Sequence, residues 1–133
     1  MTPDPLDAPV LVAFPGARRV AEVAAGRRFD LALAFAERGA DVLVTDVDPG
    51  VLEAPSPLRA ALDDLVRPDR ALYAGSDLVV ARRLPEELQR AAWALARDLG
   101  APLAFRPLKD EEGEWGPARV RRLAGGWRVL ARS

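Results

Sequence analysis

Gly26 and Asp46 are the pair of positions in this chain whose types and spacing most clearly suggest chemistry. Gly26 closes a small-residue turn, Ala24-Ala25-Gly26, and Asp46 follows about 20 residues later at the tip of a predicted strand. A small-residue turn that feeds a helix leaves backbone N–H groups near a ligand. An acid at the tip of the next strand is placed to accept hydrogen bonds from a ribose diol. The pairing therefore predicts a nucleoside-containing cofactor without saying which.

Other residues extend this constellation. Glu22 lies just before the turn, Asp63-Asp64 closes a later segment, and Arg82 and Arg106 stand where two further strands end. Guanidinium groups suit bidentate recognition of carboxylate or phosphate, so Arg82 and Arg106 are the candidates for an anion or substrate site. Each residue also has a plainer reading. Asp46 can be a solvated strand-end acid, Glu22 an inward charge paired with Arg18 or Arg27, and Asp63-Asp64 an Asx-stabilised turn. The arginines can pair with Glu86, Glu87 or Asp110. No catalytic residue is assigned.

The elements that must position these residues alternate between strand and helix. Strands are expected at Arg19–Val23, Val42–Thr45, Leu58–Leu62, Asp77–Ala81 and Pro102–Arg106, with Val, Leu and Ala runs bounded by turn residues. One helix runs from about Asp30 to Arg38, with Phe29, Leu33 and Ala36 or Ala40 on its apolar face and Gly39 as its stop. A second begins at Pro85-Glu86-Glu87 and ends before Gly100, with a stripe of Leu88, Ala92, Leu95, Ala96 and Leu99 and Trp93 at its edge. A C-terminal hairpin, Arg119–Leu123 with Trp127–Ala131, turns at Gly125-Gly126. Right-handed crossovers then give a single α/β domain over residues 1–133. It is a Rossmann-like three-layer sandwich whose mostly parallel sheet has the order 3-2-1-4-5, extended by an antiparallel hairpin. Val10–Phe14 reads equally as a short helix or an extra strand. Residues 1–9, with three prolines, read as a loose arm.

Composition narrows the chemistry. Half of the 133 residues are hydrophobic and 29% are charged, the balance of a globular protein. Without Cys there is no disulfide or thiolate chemistry, and without His the commonest general base and metal ligand are missing. No metal site is expected. No apolar run reaches the roughly 18 residues of a membrane span, and Thr2-Pro3-Asp4-Pro5 lacks the cations of a signal peptide. No membrane partner and a cytoplasmic location follow as expectations. The net charge of −1 offers no global attraction to nucleic acid. The hairpin nevertheless carries Arg119, Arg121, Arg122, Arg128 and Arg132 with no acid, and Trp127 beside them leaves RNA open.

The first turn discriminates between cofactors. In the positions of G-x-G-x-x-G stand Ala24, Gly26 and Phe29, and a Phe in the third place argues against a pyrophosphate-binding turn. NAD and other nucleotides are thereby disfavoured. The string Glu22-Val23-Ala24-Ala25-Gly26 resembles the first motif of class I S-adenosylmethionine-dependent methyltransferases, and Thr45-Asp46-Val47-Asp48-Pro49 resembles their second. With Asp63-Asp64, Arg82–Leu88 and Arg106-Pro107-Leu108, the chain is similar to uncharacterised protein family 0146, which consists of short, mainly archaeal proteins. The resemblance spans roughly Arg18 to the C-terminus. It implies a methyltransferase-like Rossmann fold and S-adenosylmethionine as the cofactor. Glu22, Ala24 and Gly26 would lie under the methionine part, Asp46 at the ribose, and Asp64 or Asp63 at the adenine. It implies no reaction. Ala24 departs from the family's glycine, and if that position needs φ > 0 its Cβ costs on the order of 1 kcal/mol. A non-catalytic interaction module on the same fold is the alternative. Missing substrate-binding insertions suggest a protein partner, a homodimer or a small acceptor.

Overall fold

The computed structural model describes residues 4–133. Seven strands form one sheet: β1 (Arg19–Glu22), β2 (Asp41–Asp46), β3 (Arg59–Leu62), β4 (Leu78–Leu84), β5 (Leu103–Pro107), β6 (Arg119–Arg122) and β7 (Arg128–Ala131). Their spatial order is β3-β2-β1-β4-β5-β7-β6. The first five are parallel to one another, and β7 adds antiparallel to β5 with β6 outside it. The expected 3-2-1-4-5 sheet with an antiparallel hairpin is therefore the fold.

Strand alternation divides the core in two. Val20, Val42, Val44, Leu78 and Val80 face α1 (Ala8–Ala13) and α2 (Asp30–Glu37), whereas Ala21, Leu43 and Val79 face α3 (Glu86–Leu99). Helices thus cover both faces, as a buried parallel sheet requires. In α2 the buried residues are Leu31, Ala32 and Phe35, with Phe29, Leu33 and Ala36 only partly covered, so the predicted face is rotated. In α3 Trp93 is fully buried rather than marginal, and it shares the interior with Gln89.

The N-terminal expectation is corrected where the structure describes it; residues 1–3 lie outside the described range. Residues 5–7 form a 3₁₀ turn and Ala8–Ala13 a helix, each with a proline in its first positions, where the ring preorganises φ and no N–H is needed. The prolines start helices here. Asp7 is completely buried, and the Trp127 indole N–H donates to the Leu6 carbonyl at 2.6 Å. That contact ties the N-terminal segment to the hairpin.

Candidate functional site

The C-terminal ends of β1, β2 and β4 converge on the turn Ala24-Ala25-Gly26. Asp46, at the tip of β2, holds this turn directly. Its Oδ2 accepts the Gly26 N–H at 2.7 Å and its Oδ1 accepts the Asp48 N–H at 3.0 Å. The Ala25 N–H donates to the Thr45 carbonyl at 3.1 Å. Two of the N–H groups expected to await a ligand are thus satisfied by the protein. A carboxylate oxygen accepts more than one hydrogen bond, so half-buried Asp46 keeps acceptor capacity toward the cleft.

Ala24 has φ 51° and Gly26 has φ 61°. The first is the strained case foreseen for an alanine: left-handed backbone in an L-residue with a Cβ costs roughly 1–2 kcal/mol. A Cβ at Gly26 would meet nothing within 4 Å, so backbone conformation, not space, calls for glycine there. That open cradle is compatible with a ligand lying over the turn.

On one side of Ala24 a cavity of about 300 Å³ is lined by Asp46, Asp63, Asp64, Thr45 and Leu65. Asp63 Oδ1 accepts the Asp69 N–H at 2.9 Å, and its other oxygen accepts the Tyr73 hydroxyl, which also lies 3.0 Å from Thr45 Oγ1. Burial, reinforced by Asp63, pushes the Tyr73 hydroxyl pKa up. Asp64 Oδ1 accepts the Val66 N–H at 2.9 Å, the Asx turn of the plainer reading. The structure therefore brings three candidate aspartates to one cavity while each also supports a local turn.

On the other side of Ala24 a cavity of about 330 Å³ is lined by Gly26, Arg27, Arg28, Arg82, Arg83 and Leu108. Arg82 and Arg83 do not follow β4, as expected, but belong to it. Ala81 pairs with Phe105 and Leu84 with Pro107, so β4 carries one extra residue against β5. Such a bulge re-aims side chains at a strand end. Alternation places Glu22 and Arg82 on the face covered by α1 and α2. There Arg82 Nε reaches both Asp7 oxygens, at 3.2 and 3.3 Å, and its Nη1 lies 3.7 Å from Asp30. Arg28 bridges Asp30 at 3.1 Å and Asp4 at 3.6 Å. Burial raises the Asp7 pKa, opposed by Arg82.

Glu22 is buried at the base of this cluster. Neither proposed partner reaches it: Arg27 lies 3.6 Å from Glu53, and Arg18 precedes β1 at the strand's opposite end. Burial pushes its carboxyl to a pKa of about 8, with Arg82 as the main opposing influence, and its Oε1 has no hydrogen-bond partner. Arg106 is not among the lining residues of the cavity. It donates to the Arg82 carbonyl at 3.3 Å, and its guanidinium lies 5.9 Å from the Trp127 ring centre. Trp127 is fully buried, which closes it to the base stacking considered from sequence. In the hairpin, Arg122 pairs with Glu112 at 2.7 Å and Arg128 with Asp110 at 3.0 Å.

Asp7, Asp30 and the Arg83 placement were missed in sequence. The signal for Asp7 was an acid before Ala8-Pro9 and an apolar run, which marks a helix start. The bulge leaves no such mark.

A five-stranded parallel sheet in this order, with a reversed hairpin at its edge, is the methyltransferase-like form of the Rossmann fold. Solved structures agree. A TehB-like SAM-dependent methyltransferase from Corynebacterium glutamicum superposes with a TM-score of 0.68 at 18% identity, covering 98% of this chain and 89% of that one. An RNA methyltransferase from Salinibacter ruber, in complex with S-adenosyl-L-homocysteine, gives a TM-score of 0.65 at 17% identity over 98% and 90%. The model of the uncharacterised protein family UPF0146 matches residues 6–123. A UPF0146 protein from Halobacterium salinarum is 39% identical over 132 residues, 99% of this chain and 98% of its own. The chain belongs to family UPF0146. Among the described residues, no helix is long and apolar enough to cross a membrane.

Proposed function

We propose that this protein binds S-adenosylmethionine along the cleft centred on Ala24 and acts as a methyltransferase on an acceptor bound beside it. The observation that carries this reading is the meeting of two cavities of opposite charge at Ala24. Asp46 would accept the ribose diol, Asp63 and Asp64 would border the adenine, and the turn at Gly26 would lie under the methionine part. Glu22, buried beneath the turn and protonated near neutral pH, would support the cationic end of the ligand by giving up its proton as the ligand's charge arrives. When bound, the cofactor supplies an electrophilic methyl on sulfonium sulfur and leaves as S-adenosylhomocysteine. The chain's own contribution is positioning and exclusion of water, which is enough to accelerate a transfer of this kind. Its lack of His and Cys is therefore no obstacle.

A second reading, an interaction module without cofactor, is favoured by the Ala24 methyl in the cleft and by the two turn N–H groups already engaged. Calorimetric titration with S-adenosylhomocysteine, with NAD in parallel, separates the readings. Heat with the first and none with NAD is expected. No binding of S-adenosylhomocysteine at millimolar concentration would hand the case to the interaction module.

A further inference from the structure

We propose that the basic cavity is a subsite for an anionic group of the methyl acceptor, a phosphate or a carboxylate. Its lining holds four arginines and no acid, and the bulge in β4 brings Arg82 and Arg83 to it together. Arg82 is 4% exposed and lines the cavity, yet its Nη2 has no hydrogen-bond partner. That nitrogen is itself shielded from solvent, so Arg82 acts on an anion in the cavity through its charge, and the exposed Arg83 supplies the direct donors. Arg83 is exposed, and among the described residues no carboxylate lies within 4.0 Å of it.

Arg27 adds a third guanidinium group on an exposed side chain. It crosses Gly50 so closely that a Cβ there would collide with its side chain. Its pairing with Glu53 at 3.6 Å is exposed at both ends, and such pairs are weak enough for a ligand to displace. Asp4, Asp7 and Asp30 engage Arg28 and Arg82 in the neighbouring ion-pair network, and none lines the cavity, so Arg83 and Arg27 are the arginines left for a ligand. One carboxylate is met by a single guanidinium fork. Arg83 and Arg27, on a strand end and a helix entry, exceed what the cofactor's own carboxylate uses. Assigning the anion to the acceptor rests on the cofactor reading above; the anion site itself does not.

The test is calorimetry with inorganic pyrophosphate at low salt, with and without saturating S-adenosylhomocysteine, on the wild type, Arg83→Gln, Arg27→Gln and the hairpin control Arg119→Gln. Expected is binding that S-adenosylhomocysteine leaves unchanged, weakened about tenfold by either cavity variant and not by the control. Thermal melts verify that each variant is folded, and Arg83 and Arg27 are exposed enough for both to be so. Absent binding, or an equal loss in all three variants, would overturn the site. Competition between pyrophosphate and S-adenosylhomocysteine would assign the arginines to the cofactor's carboxylate and overturn the acceptor. Arg83-dependent pyrophosphate binding in a protein that does not bind S-adenosylhomocysteine upholds the anion site and overturns the cofactor reading instead.

Discussion

The two cavities that share Ala24 are built by opposite means. The acidic one is assembled mostly from carboxylates that cap backbone N–H groups a few residues away: Asp46 to Asp48, Asp63 to Asp69, Asp64 to Val66. The basic one depends on contacts between distant parts of the chain. Asp7 reaches Arg82, Arg28 reaches Asp4, and the segment that supplies those acids is fastened by Trp127. Local capping yields a rim that forms with its own turns. Long-range ion pairing yields a rim that exists only when the whole fold is closed. The acidic side should accordingly tolerate substitution with local loss, and the basic side should couple to global stability.

The largest effect expected from this contrast is at Arg82. Arg82→Met would leave Asp7 buried without its partner, at a cost of about 3–5 kcal/mol in urea denaturation. Replacing both, Asp7→Leu with Arg82→Met, should recover most of the loss. A cost below about 1 kcal/mol for the single variant would break the claim that this pair anchors the basic side.

Next in size is a pH effect. The folded-state pKa of Glu22 is raised to about 8 from 4.5, and that of Asp7 is raised too. The native state therefore holds more protons than the unfolded chain between those values, and stability falls as pH rises through that window. The slope for one proton is about 1.4 kcal/mol per pH unit. Stability should be fully retained near pH 4.5 with respect to Glu22 and lost progressively toward pH 8. Glu22→Gln should flatten the profile, leaving the smaller Asp7 contribution. A wild-type stability that rises over this range would contradict the assignment.

On the acidic side, Asp46→Ala removes the ribose acceptor and should weaken S-adenosylhomocysteine by roughly 10–100-fold, or about 1.5–3 kcal/mol. It should also loosen the turn, because Gly26 and Asp48 lose their acceptor. Unchanged affinity would reject the placement of the ribose. The smallest effect concerns Ala24, which belongs to both cavities. With φ 51°, Ala24→Gly should be neutral or stabilising by up to about 1 kcal/mol in thermal melts, and it should tighten S-adenosyl ligands by opening the cleft. Loss of stability would mean that packing of the Ala24 methyl outweighs the strain.

What the sequence revealed follows the same division. Strand alternation, the helix stops at Gly39 and Gly100 and the Gly125-Gly126 turn are local signals, and the order of the five parallel strands followed from them with the handedness of crossovers, whereas the pairing of β7 rather than β6 with β5 did not. Even the weak Ala- and Leu-rich segment pairs as β3, because β2 offers it an edge. Asp46 was recognisable from its spacing after Gly26, and Asp63 and Asp64 from the resemblance to the methyltransferase pattern. Asp7, Asp30 and the Arg82–Arg83 bulge were not, since each is defined by a partner remote in sequence or by a register shift with no residue signature. Prolines also carry two meanings, and at Pro5 and Pro9 the helix-starting one prevailed over the reading as a loose arm.

The most direct test of the central claim, that an S-adenosyl ligand lies over the turn at Gly26 with its ribose at Asp46, is an amide chemical-shift titration of the ¹⁵N-labelled protein with S-adenosylhomocysteine. Saturable shifts are expected together at Gly26, Asp46 and Asp64, with Arg83 in the basic cavity and the hairpin residues Arg119–Arg122 unmoved. Shifts that miss Gly26 and Asp46, or none at millimolar ligand, would contradict it.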